Sequence, residues 1–177
     1  MHQNPKSTFV SVVAWIFITL SGFGTLIGIL QSVMLYTMLS TPEMTQALQA
    51  PAPPGSPAFV TFMMKHMVAF FVCMLALNAL TLVASIGLLL RRNWARLLFI
   101  ALMAFGIAWN FAGLVLQFSM FSYMRGQFAA QPGAPDMGVF FVAIAVVSVI
   151  FVLAFSALFG WIIKRLVSPP VVAEFVR

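Results

Sequence analysis

Between two long apolar runs the chain carries "RRNWAR", Arg91 to Arg96. Its three arginines separate Met67 to Leu90 from Leu97 to Met120. Each flanking run is long enough to cross a bilayer, for which about 20 mostly apolar residues suffice. Working outward, two more such runs appear, Phe9 to Leu39 and Gly138 to Ile163. The chain of 177 residues is 63% hydrophobic and 7% charged, and that charge content is far below the roughly 25% of soluble domains. A water-soluble fold of this size has no interior large enough to hide so much apolar surface. Inside lipid every backbone N–H and C=O must be satisfied within the segment, so each run reads as a helix. The expected fold is an all-α membrane protein, a bundle of four transmembrane helices forming a single domain over residues 1–177. The helices are expected at about 9–39, 67–90, 97–120 and 138–163, with outer loops at 40–57 and 125–136 and a cytoplasmic loop at 91–96. The first run is too long for a signal-peptide core and reads as an uncleaved anchor.

The cations set the expected orientation. Arg91, Arg92 and Arg96 share one side with Lys6, Lys164, Arg165 and Arg177, which leaves Lys65 and Arg125 for the other. The positive-inside rule places both termini and the arginine loop in the cytoplasm. Trp94 and Trp161 fit an inner aromatic belt, Tyr36 and Tyr123 an outer one. Arg91, Arg92, Arg96, Lys164 and Arg165 are expected at the level of anionic lipid headgroups. A six-residue loop offers no folded surface for nucleic acid. In the outer loops, Thr41, Pro42 and Glu43 suit the start of a small surface helix. Ser56 and Pro57 suit the start of the second span, and Asp136 a cap on the fourth. Ser168 and Pro169 suit a short interfacial helix after it.

Two turns are nearly repeated, "PPGSPA" at Pro53 to Ala58 and "QPGAPD" at Gln131 to Asp136. Gln31, Met34 and Met38 are matched in spacing by Gln117, Met120 and Met124, and "GLLLRR" from Gly87 by "GWIIKR" from Gly160. The pattern suits two related hairpins about a pseudo-two-fold axis along the membrane normal. It equally suits convergence, since any outward hairpin with a proline turn and a basic inner end looks alike.

Small and weakly polar residues fall on common helical faces. Gly106, Asn110, Gly113 and Gln117 recur at steps of four, three and four, and Ser21, Gly24, Gly28 and Gln31 at steps of three, four and three. Such faces let helices approach closely and hydrogen-bond across the gap. Asn78 and Asn110 stand near one depth, where a bond between their helices is expected. The alternative is a polar site for a substrate, with Gln31 and Gln117 above it.

Catalytic and cofactor chemistry finds few footholds. No Asp, Glu, Lys or Arg falls in the centre of a span, so the usual residues of a proton relay or charged-substrate path are missing. A four-helix multidrug exporter would carry an intramembrane carboxylate. A quinone-linked disulfide oxidase would carry paired cysteines, whereas Cys73 stands alone and reads as a small buried hydrophobe. No cofactor is expected. Nine of the twelve methionines lie near the outer face, and "MMKHM" sets His66 between Met63 and Met67, a soft set that would suit Cu(I). Gap filling at helix ends explains the same methionines.

The runs "LLLRRNWARLLFI", Leu88 to Ile100, and "KRLVSPPVVAEF", Lys164 to Phe175, resemble segments of small uncharacterised bacterial four-helix inner-membrane proteins. The resemblance implies a bacterial cytoplasmic membrane and brings no activity with it. The leading expectation is a non-enzymatic subunit acting through helix contacts: accessory, scaffolding or oligomer-forming, within a homo-oligomer or larger membrane complex. A small carrier or channel subunit for a neutral or lipid-like molecule is the alternative, and outer-face copper handling a second one.

Overall fold

Long runs without a charge, in which Ser, Thr, Asn and Gln are the most polar side chains, leave the backbone helical hydrogen bonding as its cheapest arrangement in lipid. A computed structural model describes residues 7–42, 46, 56–129 and 138–175. Its elements are α1 (Thr8–Leu39), α2 (Ala58–Lys65), α3 (Met67–Leu89), α4 (Asn93–Ala129), α5 (Gly138–Val167) and a short α6 (Pro169–Val172). Four of these, α1, α3, α4 and α5, are long and apolar enough to cross a membrane. They pack as a bundle, and the protein is a multi-pass membrane protein with four spans.

The second apolar segment is two helices. His66 breaks the ladder between α2 and α3 with φ −113° and ψ 24°, while its N–H donates to Phe62 O at 3.0 Å and its carbonyl accepts from Phe70 N–H at 2.9 Å. The small helix after Thr41, the two proline turns and the Asp136 cap lie largely outside the described residues.

Packing is pairwise along the membrane and fourfold only at one end. α1 lies along α3, α4 along α5, and α3 joins the two pairs. The buried hydrophobic core gathers Val10, Val13 and Ala14 of α1, Ala84 and Leu88 of α3, Phe99 and Met103 of α4, and Ile162 and Leu166 of α5. All lie within about three turns of the Arg91–Arg92 link or of the helix ends beside it, the basic end of the bundle. Phe17 meets Phe99 edge to face at 4.9 Å, and Phe9 meets Trp161 at 5.2 Å, so aromatic rings bring α1 to α4 and α5 there. Towards the far end the helices turn mostly outward; the spans have 17, 6, 11 and 6% of their most apolar stretch buried within the chain. Cys73 is on that outer surface, exposed rather than buried.

Glycine and asparagine set the approach of α1 to α3. A methyl added at Gly24 would strike the Asn78 amide oxygen, and one at Gly28 would come within 3.0 Å of a Leu75 methyl. On the other pair, a methyl at Gly106 would reach the Phe159 ring at 3.1 Å, while Gln117 Nε2 donates to Ser148 Oγ at 2.8 Å. Gly22, Gly113 and Gly160 meet nothing within 4 Å. Close approach is therefore used at Gly24, Gly28 and Gly106 and left unused at Gly22, Gly113 and Gly160.

Candidate functional site

The chemistry concentrates at the basic end, and it begins with how α3 stops. Arg92 N–H donates to Gly87 O at 2.9 Å and Arg91 N–H to Leu88 O at 3.1 Å. That pair of bonds closes a helix around one left-handed residue, a place usually held by glycine. Here it is Arg91, with φ 57°. A left-handed backbone costs a side-chain-bearing residue about 1–2 kcal/mol. The reversal is tight because Gly87 has no Cβ; one there would lie 2.5 Å from Ala95 Cβ and 3.2 Å from the Trp94 ring. Arg96 N–H already donates to Arg92 O at 3.2 Å, so α4 starts at Asn93 and the link is far shorter than residues 91–96.

The left-handed turn aims the Arg91 side chain across the base of the bundle. Its Nη2 donates to Ser7 O at 3.0 Å and to Ser11 Oγ at 3.1 Å. Its Nη1 lies 3.2 Å from Glu174 Oε2, with both side chains 14% exposed. These two atoms form an ion pair without the alignment of a hydrogen bond. The other Glu174 oxygen accepts from Ser7 N–H at 3.1 Å. One arginine thus holds the start of α1, the α3–α4 link and the segment after α6.

Phe175 completes the junction. It is 3% exposed, and the guanidinium carbons of Arg91 and Arg96 lie 5.8 and 5.7 Å from its ring centre. Both cations draw on the negative face of the ring. Arg96 Nε and Nη1 are buried with no hydrogen-bond partner among the described residues. Ser168 and the two prolines after it turn the chain into α6, and Val171 and Phe175 then seat in the core. Proline at the first helical turn costs no hydrogen bond, because its missing N–H would have had no partner there. The spacing of "SPPVVAEF" signalled a short helix; nothing local signalled that its tail would fold under the bundle.

The other residues singled out by sequence are dispersed. Asn78 Nδ2 donates to Met74 O at 3.0 Å, and Asn110 Nδ2 to Gly106 O at 2.8 Å, each on its own helix. No bond joins the two; Asn78 meets Gly24 of α1 instead. Gln117 lies between α4 and α5, and Gln31 is exposed on α1. Thr25, Ser32, Thr81 and Ser85 likewise donate to the carbonyl four residues back. This back-bonding is how a hydroxyl is satisfied in lipid without a neighbouring helix. Arg92, Lys164 and Arg165 are exposed, whereas Arg91 and Arg96 turn inward to the chain.

His66 is exposed and its ring packs on Phe62 at 4.7 Å, with Met63 and Met67 in the adjacent turns. Among the described residues no group of three or more His, Cys, Asp or Glu is placed to hold a metal ion. No protein-family model, no curated protein and no solved structure matches the chain. What its own geometry establishes is a membrane protein of four spans, in contact with the lipid bilayer and gathered at one basic end.

Proposed function

We propose that the protein is a non-enzymatic membrane subunit that works through helix contacts, in an oligomer of itself or in a larger membrane complex. The observation that carries this reading is the division of labour among its small and polar positions. Gly24, Gly28 and Gly106 accommodate neighbours within the chain, whereas Gly22, Gly113 and Gly160 have open space before them. Gln31 adds an exposed amide on α1. In lipid, small residues let another helix approach closely and an amide can bond across that contact. The basic end, tied by Arg91, is a fixed base from which these surfaces project.

Both described chain ends lie beside the arginine link, since Ser7 and Glu174 are hydrogen-bonded. With its excess of cations, that end belongs in the cytoplasm of a bacterial cell by the positive-inside rule. The likeness of "LLLRRNWARLLFI" to segments of bacterial inner-membrane proteins supports the same membrane.

The test is association in mild detergent or nanodiscs, read by native mass spectrometry and by crosslinking in membranes. The expected result is an oligomer, or one co-purifying membrane protein, which Gly22→Leu together with Gln31→Leu weakens while the chain stays folded. A lone monomer with no membrane partner in both measurements would overturn the reading.

A further inference from the structure

The fold of the tail under the bundle creates a cleft of about 280 Å³ at the basic end, between the start of α1 and the α5–α6 turn. Its polar wall comes from Arg165, Ser7, Ser168 and Glu174, and its apolar wall includes Phe9 and Val171. The volume is far above the ~10–15 Å³ that admits a single water.

The charge of this cleft follows from what its residues already hold. Glu174 is committed: one oxygen accepts from Ser7 N–H and the other is paired with Arg91. The Ser168 hydroxyl donates to Arg165 O. Arg165 is different. It is exposed, has no carboxylate partner among the described residues, and rests its guanidinium 5.8 Å from the Trp161 ring centre. The cleft therefore holds one neutralised acid and one unneutralised guanidinium. Trp161, which meets Phe9 edge to face, sits one turn along α5 towards the spans. A half-exposed indole next to a cation, at the end of an apolar span, is the arrangement of a membrane–water interface.

We infer that this cleft is a binding site for the phosphate-bearing headgroup of an anionic phospholipid. Arg165 engages the phosphate, for which a guanidinium offers two parallel N–H donors. Phe9 and Trp161 flank the path by which the acyl chains leave towards the hydrocarbon. A free phosphate ester shares the headgroup chemistry but gains nothing from those rings, and so lipid is the occupant. Basic pockets at the ends of spans are suited to headgroups for this reason. The site does not depend on the helix-contact role proposed above.

The experiment uses the full chain, delipidated and returned to micelles with dioleoyl phosphatidylglycerol, dioleoyl phosphatidylcholine or soluble glycerol 1-phosphate, with bound lipid read by native mass spectrometry. The expected result is one phosphatidylglycerol retained per chain in preference to phosphatidylcholine. Arg165→Gln lowers that retention about fivefold, the factor that corresponds to one arginine acting near an anionic surface. Lys164→Gln removes the same charge from a residue outside the cleft and lowers retention less than Arg165→Gln, because it loses only the general attraction of a cation near an anionic surface. Pro170→Trp, which adds bulk to the cleft wall at constant charge, also lowers retention and carries the test if Arg165→Gln fails to fold. Equal loss in Lys164→Gln, unchanged retention in both cleft variants, or equal binding of phosphatidylcholine would overturn the site. Glycerol 1-phosphate binding as tightly as the lipid would overturn the choice of lipid over a free phosphate ester.

Discussion

Arg91 and Glu174 face each other at 3.2 Å beneath the bundle, and through Ser7 and Ser11 the same pair holds the start of α1. Three segments far apart in sequence meet at one guanidinium. Because both side chains are only 14% exposed, the contact is less screened than an open surface pair, for which about 0–1 kcal/mol is usual.

Glu174→Gln should therefore free the tail. Hydrogen bonds to charged groups contribute about 1.5–3 kcal/mol, and the amide retains part of that through its acceptor. Limited chymotryptic proteolysis of the protein in micelles should cleave after Phe175, 3% exposed in the wild type, faster in the variant than in the wild type. Equal cleavage rates would show that Phe175 and Val171 hold the tail without the ion pair.

The left-handed backbone at Arg91 makes a second, opposing prediction. In the wild type Arg91→Gly loses the junction and destabilises the protein. In a Glu174→Gln, Ser11→Ala background the side chain has less to hold, and glycine should be more stable than alanine at position 91 by about 1 kcal/mol, since it adopts positive φ without the Cβ penalty. Reversible unfolding in mixed micelles measures both differences. Alanine equal to glycine there would argue against a left-handed residue 91.

Gly24→Leu and Gly22→Leu, two residues apart on α1, should behave oppositely. The first drives carbon into the Asn78 amide and should cost about 1–3 kcal/mol, as overpacked cores do. The second meets open space within the chain and should leave the monomer's stability within about 0.5 kcal/mol, the usual range for surface changes. Comparable losses in both would contradict the packing of α1 on α3.

Among the polar residues of the spans, Gln117→Leu should cost about 0.6 kcal/mol, the average for an interhelical bond in a membrane. Asn110→Leu should cost less, because its amide donates to Gly106 O on its own helix. Double replacement of Asn78 and Asn110 should show no coupling, as no bond joins them. A coupling above about 0.5 kcal/mol, the limit expected of independent sites, would contradict their separation.

Four spans could be read from hydropathy alone, because lipid imposes one solution on a long uncharged segment and does so residue by residue. Helix ends were less legible: α4 begins at Asn93 rather than Leu97, since Gly87 lets the chain reverse within one turn. The small residues at helical spacing marked faces but not their neighbours, and Gly106 and Gly113, seven residues apart, meet a ring and open space respectively. The seam asparagines misled for a related reason. Equal depth is a one-dimensional property, whereas a bond between helices also needs their faces to meet, and Asn78 faces α1.

The basic end shows the same division most clearly. Composition and spacing by themselves determined that arginines gather at one end, that four apolar helices run from it, and that a short helix follows Ser168. Only the tertiary structure decided that Arg91 and Arg96 turn inward while Arg165 stays outside. Sequence counts charges along a line, and all three look alike there. The positive φ at Arg91 and the return of Glu174 and Phe175 beneath the bundle are long-range events. They are stabilised by burying an aromatic ring and pairing a charge across segments that no local pattern connects.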